Sequence, residues 1–284
     1  MSEAQLTTEK ARAQLRAILS GDTCVSPASV YDPLTARAAG RLGYSVAMLG
    51  GSVAALAVLG APDHNLLSLD EFAGLCRRIC RTGALPLMVD ADHGFGNALQ
   101  AMRCVEELER AGIAGMTLED TALPRSFADE AAALIPLDEA EAKLKAALAA
   151  RQSPGLVIAA RTDLRLQDPA LALIRARAYA AAGADALFLT GARRIEEVRA
   201  AREASGLPIM LAAAKGELAK ADLAHLGVRF CLRGHATLPA ATAAAWDSLA
   251  ASAPAPQERP EDLMAMLSDE AGYAALIAAY LDRA

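Results

Sequence analysis

The sequence has little with which to bind nucleic acid, cross a membrane or build a disulfide or zinc framework. No basic run exceeds two residues and the formal net charge is −6, which argues against a nucleic-acid surface. No apolar stretch reaches the ~18 residues that a spanning helix needs. The five cysteines, Cys24, Cys76, Cys80, Cys104 and Cys231, are scattered and none are spaced C-x-x-C, so neither a zinc site nor a thioredoxin-like motif is implied. The opening residues are polar and amphipathic, without the basic-then-apolar order of a secretory signal. An odd number of scattered cysteines and no export signal lead to the expectation of a reducing cytoplasm.

What is present is apolar side chain in quantity. Hydrophobic residues make up 54% of the 284 and charged residues 22%, which supports a substantial core and excludes a disordered chain. The length is close to the ~250 residues of one α/β barrel.

Short apolar segments recur eight times, at 23–26, 45–49, 87–92, 115–119, 156–160, 186–189, 208–211 and 229–232. Helix-period segments lie between them. Ser68 and Glu71, for instance, form a capping box ahead of the stripe Leu69, Phe72, Leu75, Cys76 and Ile79. Residues 55–67, after Gly50-Gly51-Ser52, read as a long connection carrying Asp63 and His64. Residues 121–136, with two prolines, read as a loop or lid, and 216–226 as a helix.

The alternation predicts parallel strands buried between helices. Eight units in this length favour a closed (β/α)8 TIM-type barrel over an open doubly wound sheet. The expected organisation is a single barrel domain over 1–284, with a linker at about 252–260 and a C-terminal helical segment at 261–284. The apolar positions of that extra helix, Leu263, Met266, Leu267, Tyr273, Leu276, Ile277 and Tyr280, fit packing on a neighbouring subunit or on its own barrel equally well.

In such a barrel the site lies where strands end and the following loops begin. Ser26, Gly50-Gly51-Ser52, Asp63, Asp90, Asp92, Glu119, Arg161, Thr190 and His235 all fall there. Read as strand, Asp90 and Asp92 point to one face, since side chains alternate with period two. Paired carboxylates repel, and a hard divalent cation such as Mg²⁺, which takes oxygen ligands and keeps several waters, removes the conflict.

These residues resemble the isocitrate lyase and phosphoenolpyruvate mutase superfamily. The matching motifs are Tyr31-Asp32 with Ala36-Arg37, Gly50-Gly51-Ser52, Asp90-Ala-Asp92-x-Gly-Phe-Gly-Asn97, Leu118-Glu119-Asp120, Ala160-Arg161 and Ala181-Ala-Gly-Ala-Asp185-Ala. His93 after the second acid, and Arg-Gly-His235 closing the eighth strand, look most like its oxaloacetate decarboxylase branch.

The resemblance implies a barrel with a swapped terminal helix, usually in a dimer of dimers. It also implies Mg²⁺, with Mn²⁺ as the alternative ion, held directly by Asp90 and through water by Asp63, Asp92 and Glu119. A small 2-oxo acid is then bound by Gly51, Ser52, Arg161 and His235. The expected reaction is decarboxylation of oxaloacetate or a close 2-oxo dicarboxylate, with Arg161 and His235 as catalytic groups. The alternatives are a lyase or phosphonomutase-like enzyme acting on a substituted malate, and a non-catalytic 2-oxo acid binder. Two departures stand out. The loop after the fourth strand lacks the Cys and His of the superfamily's lyases, and Ala212-Ala213-Ala214-Lys215 stands where related decarboxylases carry a Tyr-Gly-Asn type segment.

Overall fold

The computed structural model describes residues 5–128, 132–255 and 257–282. Helix α1 (Thr8–Ser20) opens the chain and is capped by the Thr7 hydroxyl. Strands and helices then alternate: β1 (Ala28–Ser29), α2 (Pro33–Arg41), β2 (Ala47–Leu49), α3 (Gly51–Leu59), α4 (Leu69–Cys80), β3 (Leu87–Asp90) and α5 (Ala98–Ala111). The series continues with β4 (Gly115–Glu119), α6 (Leu137–Ala150), β5 (Val157–Asp163), α7 (Pro169–Ala182), β6 (Ala186–Thr190), α8 (Ile195–Ser205), β7 (Ile209–Leu211) and β8 (Val228–Cys231). Helices α9 (Thr237–Ala250), α10 (Leu263–Leu267) and α11 (Glu270–Tyr280) follow.

All eight strands are parallel and neighbour one another in chain order. A parallel bridge between Val25 and Phe230 joins the last strand to the first and closes the barrel. Both faces of each strand are covered, which is why the strands read as apolar runs rather than alternating ones. Met48, Met88, Phe188, Met210 and Phe230 fill the interior. Leu49, Val89, Leu118 and Leu187 face outward onto helix residues such as Phe72, Val105 and Leu144.

Helix α1 plugs one end. Leu15 and Leu19 enter the interior cluster, and a Cβ on Gly115 would lie 2.6 Å from Leu15 Cδ2. Arg12 and Arg16 secure the plug by donating to the carbonyls of Ile113, Glu109, Gly155 and Leu156. The carboxyl ends of the strands therefore form the other end, which is the mouth.

Four details differ from the sequence reading. The first part of the expected connection is helix α3; its run of Ala, Val and Leu is apolar all round and has no periodicity to read, while residues 60–68, with Asp63 and His64, do form a connection. Gly60, at φ 62°, ends it. The helix expected over 216–226 is only a 3₁₀ turn, Gly216–Lys220. Asp222 beyond it accepts the His225 N–H, a local bond that competes with a helical ladder, so His225 sits in a turn.

The first strand is split. Val25 pairs with β8, whereas β1 begins only after Pro27, which has no N–H for a ladder. The 121–136 stretch, expected as a loop or lid, has its two ends joined in a short antiparallel stem: Ala122 donates to Ala133, and Ile135 to Asp120. Residues 129–131 of it lie outside those described.

No residue of α9 is buried. Helix α11 folds back over the mouth loops. Its Tyr273 ring lies 5.9 Å from that of His64, Leu281 accepts a bond from Ala128 of the lid at 2.7 Å, and Asp282 pairs with Arg125. Among the described residues no helix is long and apolar enough to cross a membrane.

Candidate active site

The mouth holds a cavity of about 500 Å³. It is lined by Ser52, Asp63, Asp90, Asp92, Glu119, Arg161, Thr190 and His235, so eight of the expected residues come together there. Gly51 supports it from beneath. Ser26 does not line it. Strand β1 begins only at Ala28, and its Ser29 meets the site through His235, the hydroxyl lying 2.8 Å from His235 Nδ1.

Asp90 and Asp92 share the cavity for a different reason than strand alternation. Strand β3 ends at Asp90, and Asp92 sits in a left-handed turn at φ 45°. Its backbone carbonyl accepts the Glu119 N–H at 2.8 Å, which pins the turn to β4. Two glycines give the side chains room. A Cβ on Gly51 would stand 2.6 Å from an Asp92 carboxylate oxygen, and one on Gly50 would stand 2.6 Å from His235 Nε2. The Gly-Gly pair is thus required by close approach, and Gly50 caps α3 without a side-chain hydrogen bond, which leaves the helix's first N–H groups without a capping acceptor.

Arg161 reaches across from β5. Its Nη1 donates to Asp90 Oδ2 at 2.5 Å, and its Nη2 lies 3.4 Å from Glu119 Oε2. The guanidinium also stands 5.8 Å over the Phe188 ring. Thr117 donates to the other Asp90 oxygen at 2.6 Å, and Thr121 to Glu119 at 2.6 Å. Neither threonine was singled out from the sequence. Thr117 was legible in principle, because it lies two residues before Glu119 on the same face of β4 and pairs in register with Asp90.

The opposite face of these strands carries a matching lock. Glu119 and Arg161 are in register and point inward. The next residues, Asp120 and Thr162, point outward, with the hydroxyl donating to Asp120 Oδ2 at 2.8 Å. Tyr179 (2.5 Å) and Arg175 (3.1 Å) of α7 donate to the same oxygen, and Arg175 also holds the Ile135 carbonyl of the lid stem. Lys143, buried on α6, donates to the His93 carbonyl at 3.1 Å and ties down the turn after β3.

The electrostatics are lopsided. Burial, then Asp90, Asp63 and Glu119, push Asp92 up to about 8. Burial and then Asp90 raise Asp63, and burial raises Glu119 against the pull of Arg161. Burial pulls Arg161 down, but Asp90 and Glu119 overcome it and drive it upward. One guanidinium does not neutralise four acids. The donor set, carboxylate oxygens around excess negative charge, fits a hard divalent cation. Among the described residues no three His, Cys, Asp or Glu side chains stand grouped as they would around a metal ion. Burial lowers His235 below its ordinary range. His93 is lowered to about 4 by burial and then by Lys143, and its Nδ1 has no partner.

A closed parallel barrel with carboxylates, an arginine and a histidine around one cavity at its strand ends defines a (β/α)8-barrel enzyme. The chain belongs to the phosphoenolpyruvate phosphomutase family, whose model matches residues 15–253. It is 49% identical over 250 residues to an oxaloacetate decarboxylase of Rhodopseudomonas palustris (strain BisB18), covering 87% of each chain. Among solved structures it resembles an oxaloacetate acetylhydrolase in complex with the product oxalate (TM-score 0.75, 26% identity, 95% and 97% of the two chains). It also resembles a phosphonopyruvate hydrolase in complex with oxalate and Mg²⁺ (TM-score 0.73, 27% identity, 98% and 100%).

Proposed function

We propose that the chain is a carboxy-lyase that decarboxylates oxaloacetate, or a close 2-oxo dicarboxylate, to the 2-oxo acid and CO₂ with a divalent cation. One observation carries this reading: four acids, Arg161 and His235 surround a single cavity in a chain half identical to an oxaloacetate decarboxylase. Mg²⁺ is the preferred ion, with Mn²⁺ as the alternative. Asp90 would hold it directly, and Asp63, Asp92 and Glu119 would hold its waters. When bound, the cation supplies Lewis acidity toward the oxygen on which negative charge develops.

The chain's own groups do the rest. Arg161 grips the substrate's 2-oxo acid carboxylate, for which its planar fork is suited. That grip requires it to release Asp90, so binding of substrate and of cation are linked through this pair. The N–H groups of Gly51 and Ser52, at the start of α3, take the same carboxylate from the other side. His235 faces the carboxylate that departs. Held largely neutral at pH 7 by burial, it orients that group without stabilising its charge, so loss of CO₂ is not opposed. The C–C bond electrons pass into the enolate of the remaining 2-oxo acid, and His235, relaying a proton, returns one to its carbon. No nucleophile is needed, consistent with a lid whose sequence carries neither Cys nor His.

Pyruvate release from oxaloacetate, followed with a coupled dehydrogenase with and without chelator, tests the reading. Rates no faster than the uncatalysed reaction at any Mg²⁺ or Mn²⁺ concentration would overturn it. Cleavage of a substituted malate instead would mark a lyase, and tight oxalate binding without turnover a binder. The exposed, alanine-rich α9 is the surface on which a second copy would sit, in the dimer of dimers that the family resemblance implies. Mass measured by light scattering checks this.

A further inference from the structure

The turn after β3 carries Asp92 into the mouth and does not hold its own shape. Asp92 and Phe95, neither of them a glycine, have left-handed backbone at φ 45° and 62°, and Gly94 and Gly96 are also at positive φ. Such residues persist where their surroundings hold them. Two successive carbonyls of the turn accept bonds from outside it. Asp92 accepts from the Glu119 N–H of β4 at 2.8 Å, and His93 from Lys143 Nζ of α6 at 3.1 Å.

Lys143 is a costly donor for that purpose. It stands in the barrel-facing stripe of α6 with Ala140, Leu144, Ala147 and Ala150, where the spacing calls for an apolar side chain, and it is 5% exposed. A buried ammonium is expensive unless it is paired. Among the described residues no carboxylate lies within ion-pair distance of it, and the His93 carbonyl is its one hydrogen-bond acceptor. Burial pulls it down, and Asp120, Glu119 and Glu139 pull it up from further off. Lys143 and Asp120 line one cavity of about 10 Å³, the room of a single water. The Oδ1 of Asp120 is buried without a partner, and an ammonium that gives one N–H to His93 has two left.

We propose that Lys143 is a positioning residue of the active site: by holding the His93 carbonyl and, through one water, Asp120, it fixes Asp92 relative to Glu119 and so sets the affinity for the divalent cation. The inference rests on the reading of the mouth as a cation site. Lys143 touches neither cation nor substrate. It joins the turn after β3 to α6 and to the outward lock behind β4, and so spans the two acids that would hold the cation's waters from neighbouring strands. Supports of this kind set metal affinity by roughly 10- to 100-fold. Loss of the ammonium also removes a positive charge that repels the cation. Asp120, facing the same small cavity, already offsets that charge, so the loosened turn decides the sign.

The test compares the purified full chain with Lys143→Met, Lys143→Gln and Leu144→Ala. The first removes every donor. The last leaves Lys143 in place and loosens the same helix face. Thermal midpoints across a Mg²⁺ titration without substrate give the concentration at which stabilisation sets in, independently of turnover. Rates on oxaloacetate over the same titration give the activation constant and kcat. In Lys143→Met both Mg²⁺ concentrations should rise roughly tenfold, while kcat at saturating Mg²⁺ keeps most of its value. Lys143→Gln, which keeps a donor for the His93 carbonyl, should show the same shift at smaller size, and serves alone if the Met variant does not fold. Leu144→Ala should lower the midpoint without moving either concentration.

Mg²⁺ concentrations that are unchanged or lower in the Lys143 variants overturn the inference, whatever happens to the cation-free midpoint. A fall in kcat alone also overturns it, because the effect of Lys143 would then lie beyond the cation. If the unaltered chain is stabilised by Mg²⁺ but does not turn over oxaloacetate, the decarboxylase reading fails, and a tenfold shift in the midpoint titration still supports the role of Lys143. Midpoints and rates indifferent to Mg²⁺ and Mn²⁺ remove the cation and the inference with it.

Discussion

The two halves of the barrel mouth are built on different principles. Strands β2 to β5 contribute crowded and mutually repelling acids, of which Asp90 has both oxygens bonded, by Thr117 and Arg161, and Glu119 has Oε2 held by Thr121 and near Arg161. Strands β6 to β8 contribute Thr190, Ala212, Gly234 and a single titratable group at the mouth, His235. Close packing on one side fixes where charge can develop. Slack on the other leaves room for the shape of the substrate to vary. The same fold thus gathers its acids on one set of strands and sets His235 opposite them on the other, as expected where function is carried by loops on a common scaffold.

The sharpest way to break this division is at Asp90. Asp90→Ala should lower cation-dependent turnover by on the order of 10³-fold, measured by pyruvate release across a Mg²⁺ titration. Retention of metal-dependent activity would remove Asp90 from the cation. A step down in size, Gly51→Ala places a methyl group against Asp92, 2.6 Å from its oxygen. Displacing that carboxylate should cost roughly 10²-fold in kcat/KM. Ala214→Ser on the open side should change it less than about threefold, as surface-type substitutions do. Equal losses at both positions would mean that the halves do not differ in tolerance.

The contrast also explains what could be read from the sequence. Eight short apolar segments alternating with helix-period ones were enough for the barrel, since parallel strands covered on both faces need little else. The acids were legible because carboxylates at strand ends stand out against apolar runs. The supports were not. Thr117 looks like any strand threonine until register sets it beside Asp90, and Ser29 lay hidden behind a first strand placed too early. The left-handed backbone at Asp92 overrode the alternation that had seemed to pair it with Asp90. Helix α3 was missed because a uniformly apolar segment has no period. The breadth of the open side was invisible, because three alanines in a sequence do not say what faces them.

A smaller effect probes the hinge between the halves, the outward lock behind Glu119 and Arg161. Tyr179→Phe keeps the ring packed but removes a donor from Asp120, which is buried and whose other oxygen already lacks a partner. The loss should cost about 1–3 kcal/mol of stability, read from denaturant unfolding. Exchange at the Ile135 amide, which donates to the Asp120 carbonyl, should accelerate with it. Unchanged exchange would show that the lid stem is held independently of α7.

The mildest perturbation is pH, and its sign separates the two halves without any mutation. In the cation-free chain, burial and then neighbouring carboxylates push Asp92 from its ordinary 3.8 up to about 8. Between those values the folded state holds a proton that the unfolded chain has released. Stability therefore falls as pH rises, and the penalty is complete above about 8. Asp63 and Glu119 shift the same way. His235 acts oppositely: its lowered folded value makes the protein lose stability as pH falls through the ordinary histidine range. The clean window is thus about pH 7 to 8.5, above the histidine and across Asp92. There the cation-free thermal midpoint should decline, Asp92→Asn should flatten the decline, and saturating Mg²⁺ should abolish it, because a bound cation favours the ionised carboxylates. A midpoint that is level or rises across this window would mean that Arg161 alone balances the four acids, and the acid half would then need no cation.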